Sequence, residues 1–263
     1  MKIRVKTHIT KRFLRVWERN LRVYGRIWKI SFLPPLLEPV FYLLAFGAGL
    51  GRLVGTLSYR GTDVSYIAFI APALIAINIM YNAFFENTYA SFVRMYYQKT
   101  FDAIMATPLS LEEVITGEIV WGATKTVIAT GIMMAVISFF GLLTYPQALL
   151  LLPLAFFAGF AFSSIAMFFT SIMPNIETFN LPIFLFITPM FLFSGTFFPI
   201  DNLPSWARSL AEVFPLTHLV RLSRSFSFGS LDAGLLWGVL YLLFFSLVFY
   251  PLSLYRMRRR LVK

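Results

Sequence analysis

Four ionisable side chains stand in or beside long apolar stretches of this sequence: Glu38, Glu86, Glu118 and Lys125. A charge in hydrocarbon is costly, so such groups mark functional or structural sites. By depth, Lys125 can meet Glu86 or Glu118, and pairing relieves the desolvation of each partner. A buried Glu86–Lys125 ion pair is the favoured expectation. The other possibility is a proton relay, which needs a chain of carboxylates and histidines. Only two histidines occur, His8 and His218, and they are remote in sequence. Two remote histidines do not make a metal site, and the absence of cysteine excludes disulfides and thiolate ligands. A phosphate-cradling loop needs Gly-x4-Gly-Lys-[Ser/Thr]. The nearest candidate, GEIVWGATKT, has Ala123 where the lysine must stand. The chain is therefore expected to bind no cofactor and to perform no catalysis of its own.

These residues need elements to hold them. The sequence is 58% hydrophobic and only 13% charged, against about 25% charged in soluble domains. Roughly 20 apolar residues cross a bilayer as a helix. Six such runs occur, at about 33–54, 65–86, 119–142, 147–172, 178–198 and 233–255. The expected fold is an all-α integral membrane protein with six transmembrane helices. Small residues in the fourth run (Ala155, Ala158, Gly159, Ala161, Ser163, Ser164 and Ala166) predict close helix packing. Gly47, Gly51 and Gly55 mark either a packing face or the start of a loop.

The net charge is +11, but its distribution argues against a nucleic-acid partner. Ten of the 23 Lys and Arg precede residue 30, and five more lie from Arg256 onward. Basic clusters flanking spans stay on the cytoplasmic side and attract anionic lipid headgroups. Six spans with both termini cytoplasmic put 17 of these residues inside and five outside. The chain divides into a basic tail with an amphipathic helix (1–31), a six-span domain (32–255) and a basic tail (256–263). Phe13, Val16, Trp17, Leu21, Tyr24 and Trp28 recur at helical spacing among Arg and Lys, which predicts a helix in the headgroup layer. Pro34-Pro35 is expected to end it.

Between spans two and three, Phe101, Ile104, Met105 and Leu109 give a short helix an apolar face, with Lys99 and Asp102 opposite and Pro108 ending it. That face needs cover, from a soluble subunit or from lipid. Between spans five and six, Pro199, Pro204 and Pro215 suit short helices rather than another span. Trp206 lies on their apolar side. Arg208, Arg221 and Arg224 either anchor at headgroups or bind phosphates of lipid or substrate, and His218 is expected to pack or hydrogen-bond. The rings of Tyr81, Phe84, Phe85 and Tyr89 either line a glycolipid path or face lipid.

Two stretches resemble a known family. FDAIMATPLSLEEVITGEI is similar to the cytoplasmic segment of ABC-2 type permeases, and PMFLFSGTFFPIDNLPSWARSLAEVFPLTHLVRLSR to their C-terminal signature. Over about 30–255 the chain resembles the nodulation protein J group, permeases of lipo-oligosaccharide export. The resemblance implies an N-terminal interfacial helix, six spans and half-embedded outer helices near 203–213 and 216–227. It also implies that Lys99, Phe101, Asp102, Ile104, Met105 and Pro108 form a coupling helix docking on an ABC ATP-binding subunit, which holds ATP and Mg2+. A second copy of the chain would complete the transporter in the bacterial inner membrane, moving an amphipathic substrate outward. The alternatives are an efflux permease for drugs or hydrophobic small molecules, and a secondary transporter, which should show inverted repeats.

Overall fold

The computed structural model describes residues 9–59, 61–230 and 234–262. The first eight residues of the basic tail, His8 among them, lie outside the described residues, as do Arg60 and Lys263.

Helix α1 (Phe13–Leu44) runs through Pro34, Pro35 and Pro39 without a break. The proline pair therefore does not end an interfacial helix, contrary to the sequence expectation. Its second half is apolar, and in hydrocarbon an unravelled backbone would have no partners, so the helix tolerates the lost N–H groups. Nor does the first half rest on headgroups alone. Val16 and Asn20 are buried, and Trp17 Nε1 donates to Thr124 Oγ1 at 2.9 Å. A π turn (Ala45–Leu50) and α2 (Gly51–Val54) extend α1. Gly55, at φ +68°, then turns the chain into a hairpin of β1 (Thr56–Tyr59) and β2 (Thr62–Ser65), with Tyr59 opposite Thr62. The sequence gave only a loop there.

Helix α3 (Tyr66–Phe85) is capped by the Ser65 hydroxyl and buried almost all round, as befits the centre of a bundle. Two π turns, Glu86–Ala90 and Val93–Tyr97, prolong it. Lys99, in the left-handed conformation, turns the chain into α4 (Thr100–Met105). Helix α5 (Leu111–Phe139) starts at a capping box in which Ser110 and Glu113 satisfy each other's backbone N–H groups. Helix α6 (Leu151–Ile172) buries all seven small residues named above. The next apolar stretch, Glu177–Phe193, is 17 residues long and joins α7 (Asn180–Pro182) to α8 (Thr188–Phe193) through a π turn. Short helices α9 (Ser205–Val213) and α10 (Pro215–Phe228) follow, then α11 (Gly234–Leu261) against α6.

Among the described residues, five helical segments are long and apolar enough to cross a membrane: Phe13–Gly47, Tyr66–Tyr97, Leu111–Phe139, Gln147–Ile172 and Gly234–Leu261. The basic segments gather at one end of the bundle. There Arg12 donates to the Pro108 carbonyl at 3.0 Å, and Thr10 bonds to Glu113. Arg260 caps the last carbonyls of α6, reaching Thr170 O at 2.6 Å and Met173 O at 2.7 Å.

The tightest crossing is at Gly122. A Cβ built there would lie 1.9 Å from Asn87 Nδ2 and 2.5 Å from Ser163 Oγ. Gly122→Ala is expected to lower the thermal midpoint in lipid nanodiscs sharply. Gly25→Ala, where a Cβ meets nothing within 4 Å, should leave it unchanged or raise stability by about 0.5–1 kcal/mol through helix propensity.

Candidate functional site

The buried charges form one network. Glu86 is 5% exposed and Glu118 is fully buried, and Arg94 bridges them at 2.9 and 2.5 Å. Lys125 Nζ reaches the other Glu86 oxygen at 2.7 Å. The remaining acceptor positions are filled by neutral donors. Trp121 Nε1 donates to Glu86 at 3.1 Å, and Ser91 Oγ and Asn20 Nδ2 each donate to Glu118 at 2.8 Å. Three elements contribute, since α1 brings Asn20, the π extension of α3 brings Glu86, Ser91 and Arg94, and α5 brings Glu118, Trp121 and Lys125. Glu86 and Lys125 thus lie together, and Glu118 belongs to the same cluster through Arg94.

Arg94 is the partner that the sequence reading lacked. In a regular α-helix, positions eight apart lie about 80° out of line. The π turns bring Glu86 and Arg94 onto one face. An acid and a base eight apart in a segment with buried neighbours was the only available signal.

The network closes one end of a groove of about 1000 Å³ between α1 and α3. Tyr81, Phe85 and Tyr89 line it, as do Tyr24, Tyr42 and Glu38. The Tyr81 and Phe85 rings stack at 5.5 Å and 6°, and Tyr89 follows Phe85 at 5.8 Å. Phe84 does not belong with them. It is fully buried and packs edge-on against Phe169. It therefore belongs to the core rather than to a path.

The short helix α4 is turned differently from the sequence expectation. Phe101 is fully buried in a cluster with Val16, Phe92, Leu111 and Met257, and Ile104 and Met105 pack against the same cluster. The chain covers its own apolar face, so no soluble subunit is needed to hide it. The free side presents Lys99, Asp102, Ala103, Ala106, Thr107 and Pro108, flanked by Tyr96 and Tyr97.

At the opposite end, none of the three arginines is left facing outward alone. Arg208 donates to the Asp201 carbonyl at 2.6 Å, and Arg221 pairs with Glu212. Arg224 is buried, donating to Gly195 O at 2.7 Å and Phe69 O at 3.2 Å with its guanidinium 3.7 Å from the Phe69 ring centroid. This clamp explains the Ser-Gly-x-Phe-Phe-Pro turn. Gly195, at φ +70°, offers its carbonyl to Arg224, and a Cβ there would meet Ile200 at 2.5 Å. His218 bonds to the Glu212 carbonyl at 2.9 Å and lies on Tyr241. Pro199 is buried at the turn, Pro204 and Pro215 open α9 and α10, and Trp206 is exposed.

These features define a polytopic α-helical membrane protein with an aromatic groove and buried charges, and with no nucleotide loop in its sequence. The family model for ABC-2 type transporters matches residues 11–228, and the chain belongs to that family. It is 36% identical to nodulation protein J of Rhizobium leguminosarum bv. viciae over 95% of each chain. It is 34% identical to nodulation protein J of Sinorhizobium fredii, covering 95% of this chain and 94% of the relative. The inner membrane transport permease YadH of Escherichia coli is 23% identical over 89% of this chain and 90% of its own.

Removing one carboxylate of the network strands a buried cation. Glu118→Gln is expected to cost about 3–5 kcal/mol, read as a lowered unfolding midpoint in nanodiscs. Lys125→Met should cost clearly less, because Lys125 is partly exposed and Arg94 still neutralises Glu86. At the other end, Arg224→Leu leaves the Gly195 and Phe69 carbonyls unpaired at about 1–3 kcal/mol each. Arg224→Lys should recover little of that loss, since one ammonium cannot reproduce the fork of contacts.

Proposed function

We propose that this chain is the membrane-spanning permease subunit of an ATP-driven exporter, moving a lipid-linked or lipo-oligosaccharide amphiphile outward. Two copies, each with a separate ATP-binding subunit, assemble in the bacterial inner membrane with both termini cytoplasmic. The Glu177–Phe193 segment counts as the fifth of six spans, and α9 and α10 are half-embedded on the outer side. The chain carries out no covalent chemistry; ATP and Mg2+ act on the partner subunit.

The observation that carries this reading is the free side of α4. It lies at the end of the bundle where Arg12, Arg258 and Arg260 also sit, bonded to Pro108, Glu112 and the end of α6. The chain's own core fixes its inner side, so a push on Asp102, Ala103 or Ala106 is delivered to α5 and to the groove beyond. A rigid knob on a packed core suits force transfer better than a loose helix on lipid would. The nodulation protein J relatives support an amphiphilic, glycan-bearing substrate, and the aromatic groove suits one.

The test is purification from native membranes in mild detergent, followed by mass spectrometry. An ATP-binding protein in near-equal amount is expected. Asp102→Lys combined with Ala106→Arg should release it without changing the chain's own thermal midpoint. Phe101→Asp should instead unfold the chain, because it puts a charge into the core. Absence of any ATP-binding protein under several gentle conditions would shift the assignment to a secondary transporter.

A further inference from the structure

Glu38 stands apart from the other acids of the bundle. It lies midway along α1 and lines the groove. Its one hydrogen-bond donor among the described residues is Asn78 Nδ2, at 3.4 Å, and no cation there pairs with it. Asn78 is itself buried, and its Oδ1 has no partner. Glu86 and Glu118, by contrast, are each saturated by several donors. A half-buried carboxylate with spare acceptor capacity in an apolar groove calls for a ligand that donates hydrogen bonds.

The surroundings say which donor. The phenols of Tyr42 and Tyr81 lie close enough to feel the Glu38 charge, and the Asn82 amide faces the same space. Beside them runs the flat wall of Tyr81, Phe85 and Tyr89, nine residues or about 12 Å of helix at 1.5 Å per residue. A carboxylate, an amide and two phenols next to stacked rings match a sugar. Its hydroxyls donate to Glu38 and accept from Asn82, and its C–H face lies on the rings. A cationic amphiphile fits less well. At the groove's other end Arg19, Arg94 and Lys125 outnumber Glu86 and Glu118 and repel a second cation, whereas a neutral saccharide is indifferent to them. Val23, Ile27 and Ile183 leave an apolar stretch for an acyl chain.

We propose that Glu38, with Asn82, Tyr42 and Tyr81, forms a saccharide-binding subsite that selects the glycan head of the transported amphiphile. This rests on the exporter reading and names the residues that read its substrate.

The full-length chain in nanodiscs of phosphatidylethanolamine and phosphatidylglycerol is exposed to dodecyl maltoside carrying a diazirine on the sugar, and labelled peptides are mapped by mass spectrometry. Label is expected on 34–42 of α1 and 78–89 of α3, displaced by unlabelled dodecyl maltoside but not by dodecyltrimethylammonium. Glu38→Gln should lower specific labelling about tenfold, or 1.4 kcal/mol. Tyr42→Phe, which removes one hydroxyl and leaves the Glu38–Asn78 contact intact, should also lower it and covers the case in which the first variant misfolds. Label spread over lipid-facing helices, unchanged labelling in both variants, or equal displacement by the ammonium amphiphile overturns the subsite. The ATP-binding subunit is scored in the same membranes. Its presence beside an unlabelled groove sinks the subsite alone, while specific labelling without it sinks the exporter reading and leaves the site.

Discussion

Two carboxylates buried inside an apolar bundle must be neutralised, and that constraint locks α1, α3 and α5 to one another. Arg94 is the pivot, because its planar fork bonds to Glu86 and Glu118 at once, which a lysine could not do. Glu118 then draws Asn20 of α1 against α5, and Glu86 draws Trp121 and Lys125 toward α3. Burying such a network contributes little net stability against an apolar alternative of the same volume. Its effect is on register. Shifting any of the three helices by one turn would leave a charge unpaired in low dielectric, so the groove that these helices frame has one shape rather than several.

The groove inherits its polarity from the same arrangement. Its wall carries three cations at the network end and a lone acid further along α1, with aromatic rings between. The α6 side makes this possible by staying small. Gly159 places its backbone against Ala123 and Thr126, so α5 sits close to α6, and Lys125 and Trp121 turn toward the groove. Close packing on one face of α5 and polar exposure on the other are two sides of one choice of residues.

Much of this was legible in the sequence, and what escaped it shares a physical cause. Hydropathy runs, proline spacing and basic flanks report properties of single segments, so the apolar helices, α9 and α10, and the pairing of Glu86 with Lys125 could be anticipated. Facing directions depend on which neighbour arrives, and composition does not carry that. The apolar side of α4 looked like a surface awaiting a partner because Val16, Met257 and Phe179, which cover it, come from segments 78 to 156 residues away. Phe84 and Phe85 are identical in type and adjacent, yet one is core and the other groove wall. Arg224 looked like a headgroup contact because nothing local shows that Gly195 and Phe69 present carbonyls to it. The unbroken course of α1 past Pro34-Pro35 reflects the solvent rather than the residues. In water the pair would end a helix, whereas in hydrocarbon the freed backbone has nowhere to go.

That continuity gives α1 a particular mechanical position. Through Arg12 and Thr10 it holds the turn between α4 and α5, through Trp17 and Asn20 it holds the flank of α5, and some 27 Å further along the helix axis it carries Glu38 into the groove. Few of its residues are buried, chiefly Val16, Asn20, Pro35, Pro39 and Leu43. A helix tied at discrete polar points and otherwise lightly packed is the element that can shift at least cost. A broken helix would absorb a displacement of the α4 turn at the proline pair. A continuous one carries it along its length to the acid that faces the substrate, so α1 connects the proposed docking knob to the proposed saccharide subsite through covalent backbone.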